Sequence, residues 1–308
     1  IRCWMMNKIS NKEQNFISAV VYVTSDDEKT MKFFGELNAC LDEHFKQYEI
    51  IAVTNHDVKG NLGRLRQWAA EISKPVTLVD LSLHQPHEQC MNAGLDISIG
   101  DYVYEFDAPN SDYPMEMIWE AYQTAMRGND IVTACPARER LFSKFFYYIF
   151  NSYSNSSYRL RSDVFRLVSR RALNRAHAIN QNLPYRKATY ASCGLKMAEI
   201  EVPGISEKKR HQMELAVDSL VLYTDFGYKF SIGLTAAMFL LAVLELVYTI
   251  AIWGTGTPIL GWTTTMFVLT VGLAGLFAIL ALVMKYLTLL VKLVFKKQNY
   301  MVENIEKL

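Results

Sequence analysis

Two apolar runs constrain this chain more than any other feature. Residues 230–253 and 262–284 contain one charged side chain between them, Glu245. Each run would be about 35 Å long as a helix, enough to cross a hydrocarbon core of about 30 Å. The link at 254–261 is short, uncharged and rich in turn formers. Trp253 and Trp262 flank it, as aromatic side chains do at a membrane–water boundary. The reading is a pair of transmembrane helices. Glu245 is read as contacting the neighbouring helix or a water-filled crevice rather than as a functional carboxylate. Lys208, Lys209, Arg210 and Lys229 precede the pair, Lys285, Lys292, Lys296 and Lys297 follow it, and the link has no basic residue. Basic segments stay in the cytoplasm, so both ends and the preceding domain are expected there. Residues 208–229 read as a juxtamembrane segment. Residues 285–308 read as an amphipathic cytoplasmic tail, its first part lying along the membrane surface.

The charge is otherwise balanced. Lys and Arg number 32 against 31 Asp and Glu, a formal net charge of +1, so nothing electrostatic points to nucleic acid. With 51% hydrophobic residues, a disordered chain is excluded. The five cysteines are scattered and include no C-x-x-C pair, which argues against a disulfide framework or zinc cage and for a reducing compartment. His84 and His87 lack a nearby third ligand and read as loop or helix-start residues. Residues 1–15 read as an N-terminal extension without the apolar core of a signal peptide, with Met5 or Met6 as natural start.

Residues 16–207 alternate strand and helix patterns. Strands are expected at 16–23, 49–54, 76–81, 102–106 and 130–134, with helices at 28–48, 62–72, 88–99 and 114–127. The alternation predicts βαβ units, an α/β domain and a mostly parallel sheet. Ligands of such sheets sit at the carboxyl ends of the strands, so the candidate contacts are residues 24–26, 54–57 and 107–112. Neither a G-x-G-x-x-G nor a G-x-x-x-x-G-K-[ST] sequence follows any strand, which argues against dinucleotide and P-loop sites. The strand that runs into Asp107 and on to Asp112 is a candidate Mg²⁺ or Mn²⁺ site.

The stretch from Cys90 to Val103, C-M-N-A-G-L-D-I-S-I-G-D-Y-V, carries a resemblance. It resembles the A-x-x-x-G-L-x-x-A-x-G-D segment of the polyprenyl-phosphate glycosyltransferases of glycosyltransferase family 2. Phe106-Asp107-Ala108, Phe165-Arg166-Leu167 with Arg170, the segment 222–231, Pro258 with Gly261-Trp262, and Tyr300 with Glu303 continue it. The resemblance implies a GT-A (Rossmann-like) domain followed by two transmembrane helices in the bacterial inner membrane. It further implies a homo-oligomer that moves a sugar from a nucleotide-sugar, a UDP-sugar by expectation, to undecaprenyl phosphate with inversion. Several family positions differ. P-x-Y-N-E is Tyr22-Val23-Thr24-Ser25-Asp26 here, and D-D-G-S is Thr54-Asn55-His56-Asp57. D-x-D is Asp107-Ala108-Pro109, a loop glycine is Pro86, and the acidic residue before F-R-L is Val164 with Asp163 beside it. R-x-x-G-x-S-K-Y survives only as Gly204, Ser206 and Lys208.

Carried onto these positions, the resemblance implies Ser25, Asp26, Asn55, Asp57 and Asp107 at the nucleotide-sugar. It implies Asp107 and Asp112 at a reduced metal site, and Asp163 and Arg166 at the reacting groups. Arg161, Arg170 and Lys208 fall to the acceptor phosphate, where Arg suits bidentate contacts. A phosphate monoester with a second pKa of about 6 is already ionised, so the acceptor needs little help from a general base. The aromatic stretch 138–153 reads either as a membrane-surface helix that guides a prenyl chain or as a helix packed against the domain. The altered positions leave a second reading open, a non-catalytic relative acting as a regulatory or partner subunit.

Overall fold

The computed structural model describes residues 12–55, 62–139, 141–154, 158–179, 185–206, 226–255, 261–294 and 302–308. The chain divides into an α/β unit and a helical unit.

In the α/β unit, β1 (Ile17–Val23), β2 (Tyr48–Thr54), β3 (Val76–Leu81) and β4 (Tyr102–Phe106) run parallel. The sheet continues with β5 (Ile131–Arg138), β6 (Phe165–Ser169) and β7 (Met197–Ser206), and β8 (Val302–Lys307) closes one edge. The order is β7-β5-β6-β4-β1-β2-β3-β8, with β6 and β8 antiparallel to their neighbours. The expected α/β class with a mostly parallel sheet is therefore the one observed. Buried strands explain the near-continuous apolar runs, as in β1 (ISAVVYV).

Three helices, α1 (Glu28–His44), α2 (Gly63–Glu71) and α4 (Glu116–Met126), cover one face through Phe33, Leu37, Leu65 and Ile118. The other face is covered by α3 (His87–Ile97), α6 (Arg170–Ile179) and α7 (Arg186–Ser192), through Met91, Leu95, Leu173 and Tyr190. Between them lies α5 (Leu141–Tyr153) in chain order; it buries Phe150 but exposes Leu141, Phe145 and Tyr148. Asp27 caps α1 by accepting from the Thr30 N–H at 2.8 Å, a bond that holds its carboxyl below the usual range.

The stretch Cys90–Val103 is where sterics dictate the residues. A Cβ on Gly94 would lie 2.5 Å from a Val53 methyl and 2.6 Å from one of Val20, so glycine lets α3 sit down on β1 and β2. A Cβ on Gly100 would lie 2.5 Å from the Ser18 backbone nitrogen. There the Gly100 N–H donates to Ser18 Oγ at 2.8 Å, and the Phe16 N–H to Asp101 at 2.8 Å.

The helical unit consists of α8 (Phe226–Thr255) and α9 (Trp262–Val294). Within them Lys229–Gly254 and Thr264–Leu287 are long and apolar enough to cross a membrane, with mean hydropathies of 2.2 and 2.6. Their apolar surface is exposed, as at Phe239 and Leu244, a patch of the kind that meets lipid or a partner protein. Thr270 donates to Glu245 at 2.6 Å, so the one carboxylate of the pair meets its neighbour helix. Two tail features depart from the reading. Helix α9 continues unbroken to Val294, and residues 302–307 form strand β8 instead of an amphipathic tail. The reason is pairing: β8 satisfies the open edge of β3, the Leu308 N–H donates to the Val76 carbonyl at 2.9 Å, and Arg66 donates to Glu306 at 3.1 Å.

Candidate functional site

The chain runs outward from β1 to β2 and β3 and then returns to place β4 on the other side of β1. At such a reversal, the carboxyl ends of β1 and β4 are the position where open α/β sheets hold ligands. Asp107 follows β4 directly, and the loop 24–26 follows β1.

What fills the β4 side is a buried network of charges. Glu105 sits within β4, and Arg166 faces it from the paired position on β6. Arg166 donates to Glu105 and Asp107, both at 3.0 Å, and to Asp163 at 2.7 Å. Arg186, at the start of α7 and with no exposed surface, donates to Asp107 at 2.6 Å, Glu105 at 2.5 Å and Glu88 at 2.8 Å. Lys187 donates to Asp163 at 2.9 Å and to the Tyr147 hydroxyl at 3.1 Å, and the Tyr190 hydroxyl donates to Glu105. Each charge is thus paired, as burial requires.

The protonation preferences follow from these partners. Burial pushes Glu105 up, against the pull of Arg186 and Arg166. Burial also opposes ionisation of Asp163, but Arg166 and Lys187 outweigh it and hold its carboxyl below the usual range. Lys187 and Arg166 are favoured in their charged forms because their carboxylates overcome desolvation. Burial pushes the Cys90 and Cys135 thiols up to about 12, which removes both as nucleophiles near neutral pH.

The residues expected at the site are thus partly assembled. Asp107, Asp163 and Arg166 meet in one network. The metal reading of Asp107 meets a different partner here: each of its carboxylate oxygens accepts from an arginine, so the charge facing it among the described residues is guanidinium. Asp112 lies exposed on the following loop, its N–H donating to Asn110 at 3.4 Å. Among the described residues no group of three or more His, Cys, Asp or Glu converges to hold a metal. The residues present do not fit a Mg²⁺ or Mn²⁺ site.

Arg170 is also displaced from its expected role. Because β6 is antiparallel to β4, Arg166 lies at the carboxyl end of β4 and Arg170 at its amino end, about 13 Å away along the strand. There Arg170 donates to the Gly100 carbonyl at 2.9 Å and to Ser98 at 3.1 Å. Arg161 is half-exposed and pairs with Glu139 at 3.3 Å and Glu199 at 3.4 Å. Asn55 is buried, and its amide clamps the backbone of Gln85 with bonds of 2.9 and 3.1 Å, an arrangement that uses the groups expected to read a base. Asp26 accepts from the N–H groups of Arg64 and Leu65, at 2.9 and 3.2 Å, in the first turn of α2, and Ser25 bonds to Asp27. Asp57 and Lys208 lie outside the described residues.

Sequence reasoning missed Glu88, Glu105, Arg186, Lys187 and Tyr190. One signal was available: Glu105 stands in the middle of the apolar strand Y-V-Y-E-F, and a carboxylate buried there demands a cationic partner.

Comparison with known proteins points one way. No family model matches the chain. Over 191 residues it is 22% identical to the uncharacterized glycosyltransferase YkcC of Bacillus subtilis, covering 60% of this chain and 58% of that one. Over 187 residues it is 24% identical to the uncharacterized glycosyltransferase sll0501 of Synechocystis, covering 58% of each. The alignments thus span well under two thirds of these relatives. Among solved structures, the mannosyltransferase PcManGT from Pyrobaculum calidifontis, in complex with GDP-Man and Mn²⁺, covers 96% of this chain and 89% of its own at 13% identity. Its TM-score is 0.48, a likeness too loose to carry function.

Proposed function

We propose that this chain is a membrane-anchored glycosyltransferase that moves a sugar from a nucleotide-sugar to a polyprenyl phosphate. The UDP-sugar donor, undecaprenyl phosphate acceptor, homo-oligomer and cytoplasmic face of a bacterial inner membrane belong to the same proposal. One observation carries it: the strand-order reversal at β1 and β4 with charged side chains at its carboxyl end, in a chain that continues into two helices able to cross a bilayer. The names of the two sequence relatives point the same way.

In this reading the carboxyl ends of β1 and β4 seat the donor, and Asp163, between Arg166 and Lys187, faces the reacting groups. The acceptor phosphate attacks the anomeric carbon as the bond to the diphosphate breaks, so the leaving charge must be met by fixed positive groups. The exposed Leu141, Phe145 and Tyr148 of α5 suit contact with a prenyl chain or lipid surface.

A second reading, a non-catalytic partner subunit, is favoured by the arginines that close Asp107 and by the use of Asn55 as a loop clamp. One assay separates the two. Purified protein is given labelled nucleotide-sugars and undecaprenyl phosphate, with Asp163→Asn as control. Labelled lipid that falls at least tenfold in the variant supports the transferase. No product from any donor, beside a working relative, supports the partner subunit.

A further inference from the structure

We propose that Arg166 and Arg186 take the cation's place on Asp107, so that the carboxyl end of β4 operates closed to divalent metal. The proposal rests on three independent placements. Asp107 offers one oxygen to each guanidinium, at 3.0 Å from Arg166 and 2.6 Å from Arg186. Both arginines are held from behind, Arg186 by Glu88 and Glu105 and Arg166 by Asp163 and Glu105, so neither swings away without leaving buried carboxylates unpaired. And the residue two positions after Asp107 is Pro109, which offers no second carboxylate.

Among the described residues, a divalent ion at Asp107 would stand beside two fixed positive charges, with no group of three or more His, Cys, Asp or Glu to hold it. Mg²⁺ and Mn²⁺ favour oxygen ligands in a near-octahedral shell, and a guanidinium on each Asp107 oxygen puts like charge beside where that shell would form. Arg166, Arg186 and Lys187 balance Asp107 together with Glu88, Glu105 and Asp163, so the cations that face Asp107 are already part of the fold. An arginine is the fitting substitute because it stays charged when buried and its planar fork spans several carboxylates at once, as Arg186 does with Glu88, Glu105 and Asp107.

The test reads the metal directly. The intact chain in detergent is titrated with Mn²⁺, and the electron paramagnetic resonance signal of the free ion is followed for the wild type and for Asp107→Asn. The expected result is no uptake that depends on Asp107: the free-ion signal falls equally, or not at all, in the two proteins. Stoichiometric uptake by the wild type that Asp107→Asn abolishes would overturn the proposal. A second variant, Arg186→Lys, keeps the charge but cannot fork across three carboxylates; it should show Mn²⁺ uptake that a further Asp107→Asn change abolishes, and no such uptake counts against the arginine's role. The transfer reaction gives a separate arm. If a donor is found, product should form at an unchanged rate in EDTA, and loss of product on chelation would overturn the proposal. If no donor works, the proposed function fails while the Mn²⁺ titration still decides this one.

Discussion

At its amino end β4 is positioned by shape: Gly100 approaches β1 so closely that a Cβ would fall 2.5 Å from the Ser18 nitrogen. At its carboxyl end, a few residues on, β4 is positioned by charge, with Glu105 and Asp107 bound by Arg166 and Arg186. The contrast explains why one end is recognisable in sequence and the other is not. A close backbone approach admits one residue type, so it leaves a motif. A buried charge network admits any arrangement in which the signs balance, so a carboxylate in a familiar place says little about what it binds.

The largest expected effect lies at the charged end. Arg186→Met leaves Glu88, Glu105 and Asp107 short of a partner, and breaking a buried pair from one side costs about 3–5 kcal/mol. Urea denaturation in detergent, followed by far-ultraviolet circular dichroism, would measure it. Adding Asp107→Asn should recover part of the loss, because it removes one of the stranded charges. Strict additivity of the two changes would mean that they do not share a network, and would break the contrast.

At the steric end, Gly100→Ala should cost about 1–3 kcal/mol through overpacking, with no rescue by charge changes. Gly94→Ala should cost less, because its added Cβ meets methyl groups of Val20 and Val53 rather than backbone. Val53→Ala should recover much of the Gly94→Ala loss and none of the Gly100→Ala loss in the same denaturation measurement. If it rescues both, the two glycines answer to a general loosening of the sheet and not to separate contacts.

The legible part of the molecule follows the same division. Strands β3 and β4 are where apolar patterning put them, and the paired helices follow from length and charge depletion alone. Strands β6, β7 and β8 are not among the expected strands: β6 is a five-residue antiparallel insertion, β7 pairs parallel with β5, and β8 pairs with the edge that β3 offers. In the site, Asp107, Asp163 and Arg166 meet in one network, but what Asp107 binds depends on what faces it. Its partner Arg186 lies 79 residues further along the chain, in a segment with no periodic or motif signal. Arg170 was misplaced because strand direction, not nearness in sequence to Arg166, decides which end of the sheet a residue reaches.

The last effect is the one that separates the two ends by pH. Asp163→Asn keeps one acceptor but loses the charge facing Arg166 and Lys187, which should cost about 1.5–3 kcal/mol at neutral pH. The carboxyl of Asp163 is held below its usual range, so its stabilisation is present above the unfolded value of about 3.9 and is lost as pH falls through the lower folded value. Glu105 has the opposite sign: burial raises it, so its contribution is present below about 4.3 and is lost as pH rises through the folded value. Comparing Asp163→Asn with the wild type cancels Glu105, which both proteins retain. The stability gap between them should therefore be widest at neutral pH and narrow steadily once the pH drops below about 4. Gly100→Ala, measured over the same range, should change its gap less, because the clash it introduces is with the Ser18 backbone nitrogen. A constant gap for Asp163→Asn would mean that its carboxylate is not held ionised by Arg166 and Lys187, and the charged end of β4 would then be ordered by packing like the other.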